Sequence, residues 1–360
     1  MSHDLIMKIA LIFVGILVVA AGILFVWLAF GTKKRKQAIS VRQSNKRHIE
    51  DAVLSILNAP SSHSMQEELE DLKDFVGNSI ENFDFLSDTM FKQVQVIEPE
   101  NETAQHFFFK ILEVLDPIGF YSRLLKVGTA PQKAHACKYL SDFSAESEIK
   151  NIEKHLNSKN QDLSYYAALA LSKLGDEEGV SKFLIDCKDN YQLSHRLVLQ
   201  LIGEYNKDIK SLANLVFREC DDYIKATVIK SLSKYNFYDF ENIYRDALKS
   251  QNASLRVAAV TALGSFEDVK FEKQLIIASN DKMWIVRNAA VKALGRLDTE
   301  NALKNVVRAT SDVEWWVRNN AANALIKMDN GLEKAEQILA SFDTYASDAV
   351  KNALYRSLEN

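Results

Sequence analysis

Three arginines, Arg256, Arg287 and Arg318, recur at intervals of 31 residues. A guanidinium repeated along a surface offers a row of planar forks suited to carboxylates or other acidic groups. Trp284 and Trp315 stand three positions ahead of two of them, with Trp316 beside the second. Asn288, Asn319 and Asn320 follow the arginines. Aromatic side chains together with arginine are enriched at the hot spots of protein interfaces, and the asparagines would add polar contacts. Each feature also has a plainer explanation. Asp281 and Asp312 lie six residues before Arg287 and Arg318, which places them at the start of the same helix and allows an internal ladder of ion pairs. The tryptophans can pack under the preceding unit, although only one of Trp315 and Trp316 can easily face inwards. Solvated helix faces account for the asparagines equally well.

Nothing else in the chain suggests a reaction. His106, His135, His155 and His195 show no HxxxH pairing with nearby Cys or carboxylate ligands, so no metal site is expected. There is no P-loop, GxGxxG or GxSxG motif. No catalytic residue, cofactor or small-molecule substrate is therefore expected. The adjacent Asp221-Asp222 and Glu177-Glu178 diverge on a helix and read as helix starts rather than acid–base pairs. Cys137, Cys187 and Cys220 are far apart without a CxxC pair and read as reduced core residues. The net charge of -4 leaves no basic excess for nucleic acid.

The arginines open a longer phrase. Together with Lys225 they are followed three positions later by Val228, Ala259, Ala290 and Ala321. Four positions on come Ile229, Val260, Val291 and Ala322, and seven on come Leu232, Leu263, Leu294 and Leu325. A fixed period in this range signals a solenoid, whose units bury their apolar faces only against their neighbours. Extended backwards, the phrase fits His195–Gly203, Ala167–Gly175 and Lys133–Leu140. Each unit reads as a helix pair. Asp281 and Asp312 suit the cap of the first helix. Small residues such as Ala262, Ala293 and Ala324 allow close approach. Gly264 and Gly295 suit the helix ends. The last segment, Ala346–Leu358, reads as one amphipathic helix closing the open end. Only four prolines and twelve glycines in 360 residues favour helix throughout.

The amino end has a different character. Ile9–Phe30 carries no charge over 22 residues, roughly 33 Å as a helix and long enough to cross a bilayer. Lys33, Lys34, Arg35 and Lys36 follow it, with Arg42, Lys46 and Arg47 beyond. This predicts a single-pass cell-membrane anchor with the amino terminus outside and the rest cytoplasmic. In that orientation the sequons at Asn101 and Asn252 have no meaning. The expected organisation is an anchor and basic flank (1–36), a helical cap region (37–128) and a repeat solenoid (129–360).

The phrases running from Ser254 to Gly264 and from Trp284 to Gly295 resemble HEAT repeats, closest to the short type of the phycobilin lyases. The resemblance is specific over 222–345 and weakens back to 129. It implies an all-α, armadillo-like α-α superhelix with the transmembrane helix ahead of it, used as an interaction scaffold. In such repeats the arginine position pairs with an acidic residue of the same or the next unit. The leading functional expectation is a non-enzymatic, membrane-tethered adaptor for a protein partner. The alternatives are an accessory subunit of a membrane enzyme, such as a polysaccharide glycosyltransferase, and an enzyme or chaperone like the phycobilin lyases.

Overall fold

The computed structural model describes residues 32–59, 61–98, 101–190, 194–235 and 237–359. The predicted span at 9–30 and the side chain of Cys187 lie outside the described residues. Among the described residues no helix is long and apolar enough to cross a membrane, and no strand occurs. The chain divides into two compact units, 1–120 and 121–360.

In the first unit, helix α1 covers 32–57. Residues 32–44 of it are exposed on every side, and burial begins at Ile49. From there Ile49, Val53 and Ile56 form a fully buried stripe at helical spacing. Helices α2 (Ser62–Val76), α3 (Ile80–Val94) and α4 (Glu102–Leu115) follow. Ser61, Ser79 and Asn101 cap them by accepting from backbone N–H groups of the first turn. Asp116 takes a left-handed conformation at the end of α4. Pro117 then opens helix α5 (Pro117–Val127), where its missing N–H costs nothing.

The second unit is a double layer of helices. The first helices of the repeats form the A layer: α6 (Ala130–Asp142), α8 (Gln161–Leu174), α10 (His195–Gly203), α12 (Asp222–Leu232), α14 (Ala253–Ser265), α16 (Trp284–Leu297), α18 (Trp315–Leu325) and α20 (Thr344–Glu359). Each packs on the next in chain order. The B layer consists of α7 (Ile149–Glu153), α9 (Glu177–Asn190), α11 (Ile209–Glu219), α13 (Glu241–Lys249), α15 (Glu272–Ala278), α17 (Glu300–Ala309) and α19 (Gly331–Leu339). The core lies between the layers, where Val260, Leu263, Val291, Leu294, Val317 and Leu325 are buried. Final helix α20 packs on α18 and α19 through Ala346, Val350 and Ala353, leaving Tyr355 and Leu358 exposed.

Two local expectations are refined. Gly264 and Gly295 lie in the last turns of α14 and α16, at the expected helix ends, but neither takes the left-handed conformation of a helix stop. A Cβ at Gly264 would stand 2.4 Å from the Cβ of Ala293, and one at Gly295 would stand 2.6 Å from the Cβ of Ala324. The glycines are there to let consecutive A helices touch. The turns are made instead by left-handed Glu267, Asp298 and Asn330; Asp and Asn tolerate that conformation through local hydrogen bonds. Secondly, Asp281 and Asp312 precede α16 and α18, which start at Trp284 and Trp315. Their carboxylates accept from the N–H of Met283 and Glu314, two residues on, forming a turn ahead of the helix.

Gly264→Ala provides a direct check on helix contact. In an open helix this change stabilises by about 1 kcal/mol. Here the methyl meets Ala293, so a net loss of about 1–3 kcal/mol is expected in urea unfolding. A stabilised variant would disprove the close approach.

Candidate functional site: arginine rungs and the A-layer face

The aligned arginines are spent inside the solenoid. Arg256 is 7% exposed. Its Nε and Nη2 donate to the Asp281 carboxylate of the next repeat at 2.7 and 2.8 Å. Arg287 repeats this with Asp312, both bonds at 2.7 Å. Each acceptor lies 25 residues after its donor. The third nitrogen looks backwards: Nη1 of Arg256 donates to the carbonyls of Ser250 and Gln251, and Nη1 of Arg287 to those of Asp281 and Lys282. One side chain thus joins the loop before its own helix to the loop before the next. Burial pushes the Asp281 and Asp312 carboxyls up. The arginine hydrogen bonds, the turn N–H groups and the guanidinium charge together outweigh it and hold both below the ordinary value.

The ladder ends at Arg318. Its Nη1 keeps the bonds to the carbonyls of Asp312 and Val313. The residue 25 positions on is Asp343, whose carboxylate accepts instead from the N–H of Ala346. The Arg318 guanidinium lies 5.0 Å from the Tyr345 ring, a cation–π contact in place of the ion pair.

The remaining sequence candidates separate by exposure. Trp315 and Trp316 are 49% and 54% exposed and meet edge to face at 4.6 Å. Neither is inside, so the alternative in which one of them packs under the preceding unit is not the arrangement found. Small residues at the helix contact leave no room for an indole there. Trp284 is half-buried. Asn319 is buried, with its Oδ1 accepting from Arg356 of α20 at 2.7 Å. Asn288 accepts from Asn320 of the next repeat at 2.8 Å. These asparagines bridge helices within the solenoid. Cys137 and Cys220 are buried, which pushes their thiols up to about 12; at neutral pH neither is a nucleophile.

The sequence reading missed the solvent face of the A layer. Tyr223, Ser254, Ile285 and Trp316 occupy one position of the 31-residue register, and Lys230, Thr261, Lys292 and Asn323 another. A groove of about 300 Å³ runs across this face, lined by His195, Tyr223, Ala226, Lys230, Val257 and Ile285 among others. In α12, α14, α16 and α18 the one acidic residue is Asp222, against Lys225, Lys230, Arg256, Arg287, Lys292, Arg296 and Arg318. Lys230 and Lys292 are exposed and make no ion pair among the described residues; Lys327, just past α18, is the same. The B layer is balanced: Glu241, Asp246, Glu272, Glu300, Glu333 and Glu336 face Arg245, Lys249, Lys273, Lys304, Arg308 and Lys334. Writing the chain in rows of 31 would have exposed this asymmetry.

A fold of stacked helix pairs with a continuous core defines an α-solenoid. Residues 271–359 match the family of HEAT repeats. No curated protein matches it. Solved structures resemble it at low similarity. An engineered protein is 14% identical, covering 85% of this chain and 98% of its own, with a TM-score of 0.35. The karyopherin Kap121p is 13% identical, covering 87% and 45%, with a TM-score of 0.45. The CpcE–CpcF complex of phycocyanin lyase from Nostoc sp. PCC7120 is 14% identical, covering 66% and 94%, with a TM-score of 0.30. The chain spans under half the length of Kap121p. None is similar enough to indicate what this chain binds.

Asp281→Ala strands a buried guanidinium, and a loss on the order of 3 kcal/mol is expected in chemical denaturation. The acid limb gives a second check. A carboxyl held below its ordinary value of 3.8 adds stability in full above that pH and loses it as pH falls through the lower folded value. Wild type should therefore lose stability below about pH 4 more steeply than Asp281→Asn/Asp312→Asn. Parallel pH profiles would show that the rungs carry no linkage.

Proposed function

We propose that the chain is a non-enzymatic scaffold, tethered to the cell membrane by 9–30 and presenting its solenoid in the cytoplasm to a protein partner. The observation that carries the binding part is the pair of half-exposed indoles at Trp315 and Trp316, beside the Arg318 guanidinium, which makes no ion pair among the described residues. Half of each indole is left in water, and that apolar area would be desolvated on association. Val313, Phe342 and Tyr345 are also exposed, extending the apolar character along helix starts one register apart. The tethering part rests on the uncharged run at 9–30 and the basic residues after it. A tether raises the local concentration of whatever the solenoid holds near the bilayer.

Two measurements test this. In membranes of cells that express the full chain, a photo-crosslinker at Tyr345 should yield one discrete protein adduct. That adduct should fade about tenfold or more in Trp316→Ala, whose unfolding midpoint stays within a few degrees of wild type. A smear of adducts indifferent to Trp316 would defeat the binding part. For the tether, the full chain should resist alkaline carbonate extraction and a chain lacking 1–36 should not. Extraction of both would remove the anchor from the reading.

A further inference from the structure

We infer that the seat of the partner is the solvent face of the A layer from α12 to α18, and that what sits there is an acidic peptide segment carrying a large apolar side chain. The inference rests on the scaffold reading and sharpens it. Charge chooses the layer. The A helices present cations with one carboxylate between them, and that one, Asp222, is held by the Asn252 amide at 2.7 Å. Asp281 and Asp312 neutralise Arg256 and Arg287 inside the solenoid, and Arg296 has Glu267 at 3.8 Å. Lys230, Lys292 and Lys327 remain uncommitted and exposed. On the B layer Arg245, Lys304 and Lys334 already hold Glu241, Glu300 and Glu333.

Register then sets the shape of the occupant. Tyr223, Ile285 and Trp316 form a largely apolar row at the start of the A helices, interrupted by Ser254, and Lys230 and Lys292, with Thr261 between them, form a basic row seven residues further along, about 10 Å away at helical rise. Neighbouring helices stand about 8–10 Å apart. A segment laid across them meets an apolar row along one edge and ammonium groups along the other. The groove between Tyr223, Val257 and Ile285 has room for one large apolar side chain; Asp222 and Asn252, bonded to each other, also line it, so the acidic groups of the occupant would lie toward Lys230 and Lys292. A nucleic-acid backbone suits this surface less: the chain is net -4, and widely spaced lysines separated by apolar side chains make few simultaneous phosphate contacts.

The test uses the full chain in detergent micelles, panned against a random peptide library on phage. The expected winners are rich in Asp and Glu next to Phe, Trp or Leu. Their synthetic forms should bind about tenfold more weakly to Lys230→Glu/Lys292→Glu, and weaken as salt rises. Lys273→Glu/Lys304→Glu on the B layer should bind as wild type. Both variants alter exposed residues, and unchanged thermal midpoints would verify their folding. Winners without acidic bias, or binding that follows the B-layer variant, would overturn the A-face assignment and leave a scaffold with another surface. Tighter binding of oligothymidylate or phosphatidylglycerol vesicles than of any peptide, abolished by Lys230→Glu/Lys292→Glu, would overturn the peptide in favour of that polyanion. Enrichment of no peptide at all would overturn this inference, while the scaffold reading would stand or fall on the Tyr345 crosslink.

Discussion

The solenoid depends on how closely consecutive A helices can approach. Where Gly264 faces Ala293 and Gly295 faces Ala324, a single added methyl has nowhere to go. Dispersion between backbones replaces the usual interlock of long side chains, so the helices meet over a broad surface. The consequence is a sorting of side chains by size. Alanines such as Ala259, Ala290 and Ala321 fill the helix contact, leucines and valines fill the space between layers, and the indoles of Trp315 and Trp316 are left at the outer face; the phenols divide, with Tyr223 exposed and Tyr139 and Tyr244 buried. No repeat has a core of its own, so each is stable only through its neighbours.

The arginine rungs do a separate job. A buried ion pair contributes little net stability, because desolvation offsets most of the attraction, yet removing one partner is costly. Its value here is geometric. A guanidinium that fits a carboxylate on one edge and two carbonyls on the other fixes the spacing and tilt of successive loops. Arg256 and Arg287 do this between repeats. At Arg318 the matching carboxylate turns away to serve its own helix, and Tyr345 covers the guanidinium. The change in chemistry falls at the contact between α18 and α20.

The two layers differ in character because they answer different constraints. The A helices are held to small residues on their contact sides, so their variable positions all lie outward. Those positions have collected Tyr223, Trp316 and the lysines Lys230 and Lys292, which make no ion pair among the described residues. The B helices are spaced further apart along the array and settle their charges locally, as Glu241 with Arg245 and Glu300 with Lys304 do at one helical turn. A protein partner discriminates between such faces by charge before it discriminates by shape.

The repeat itself was legible in the sequence. A period of 31 with apolar residues at helical spacing admits few structures other than stacked helix pairs, and His195–Gly203 matches a helix residue for residue. Helix starts at Asp221 and Glu177 were equally plain, because capping is local chemistry. The contacts of Gly264 and Asn319 and the exposure of the tryptophan pair were not legible, and for Asp281 the choice between the arginine of its own repeat and that of the preceding one stayed open. A glycine near a helix end looks like a terminator until the neighbouring helix shows what it would strike. An aspartate six residues before an arginine looks like its partner until the packing of repeats brings forward the arginine of the preceding one. Local order along the chain was therefore determined by sequence alone. Which residues are consumed between repeats, and which are left facing water, was decided by tertiary structure, because both depend on distances between segments about thirty residues apart that no local pattern encodes.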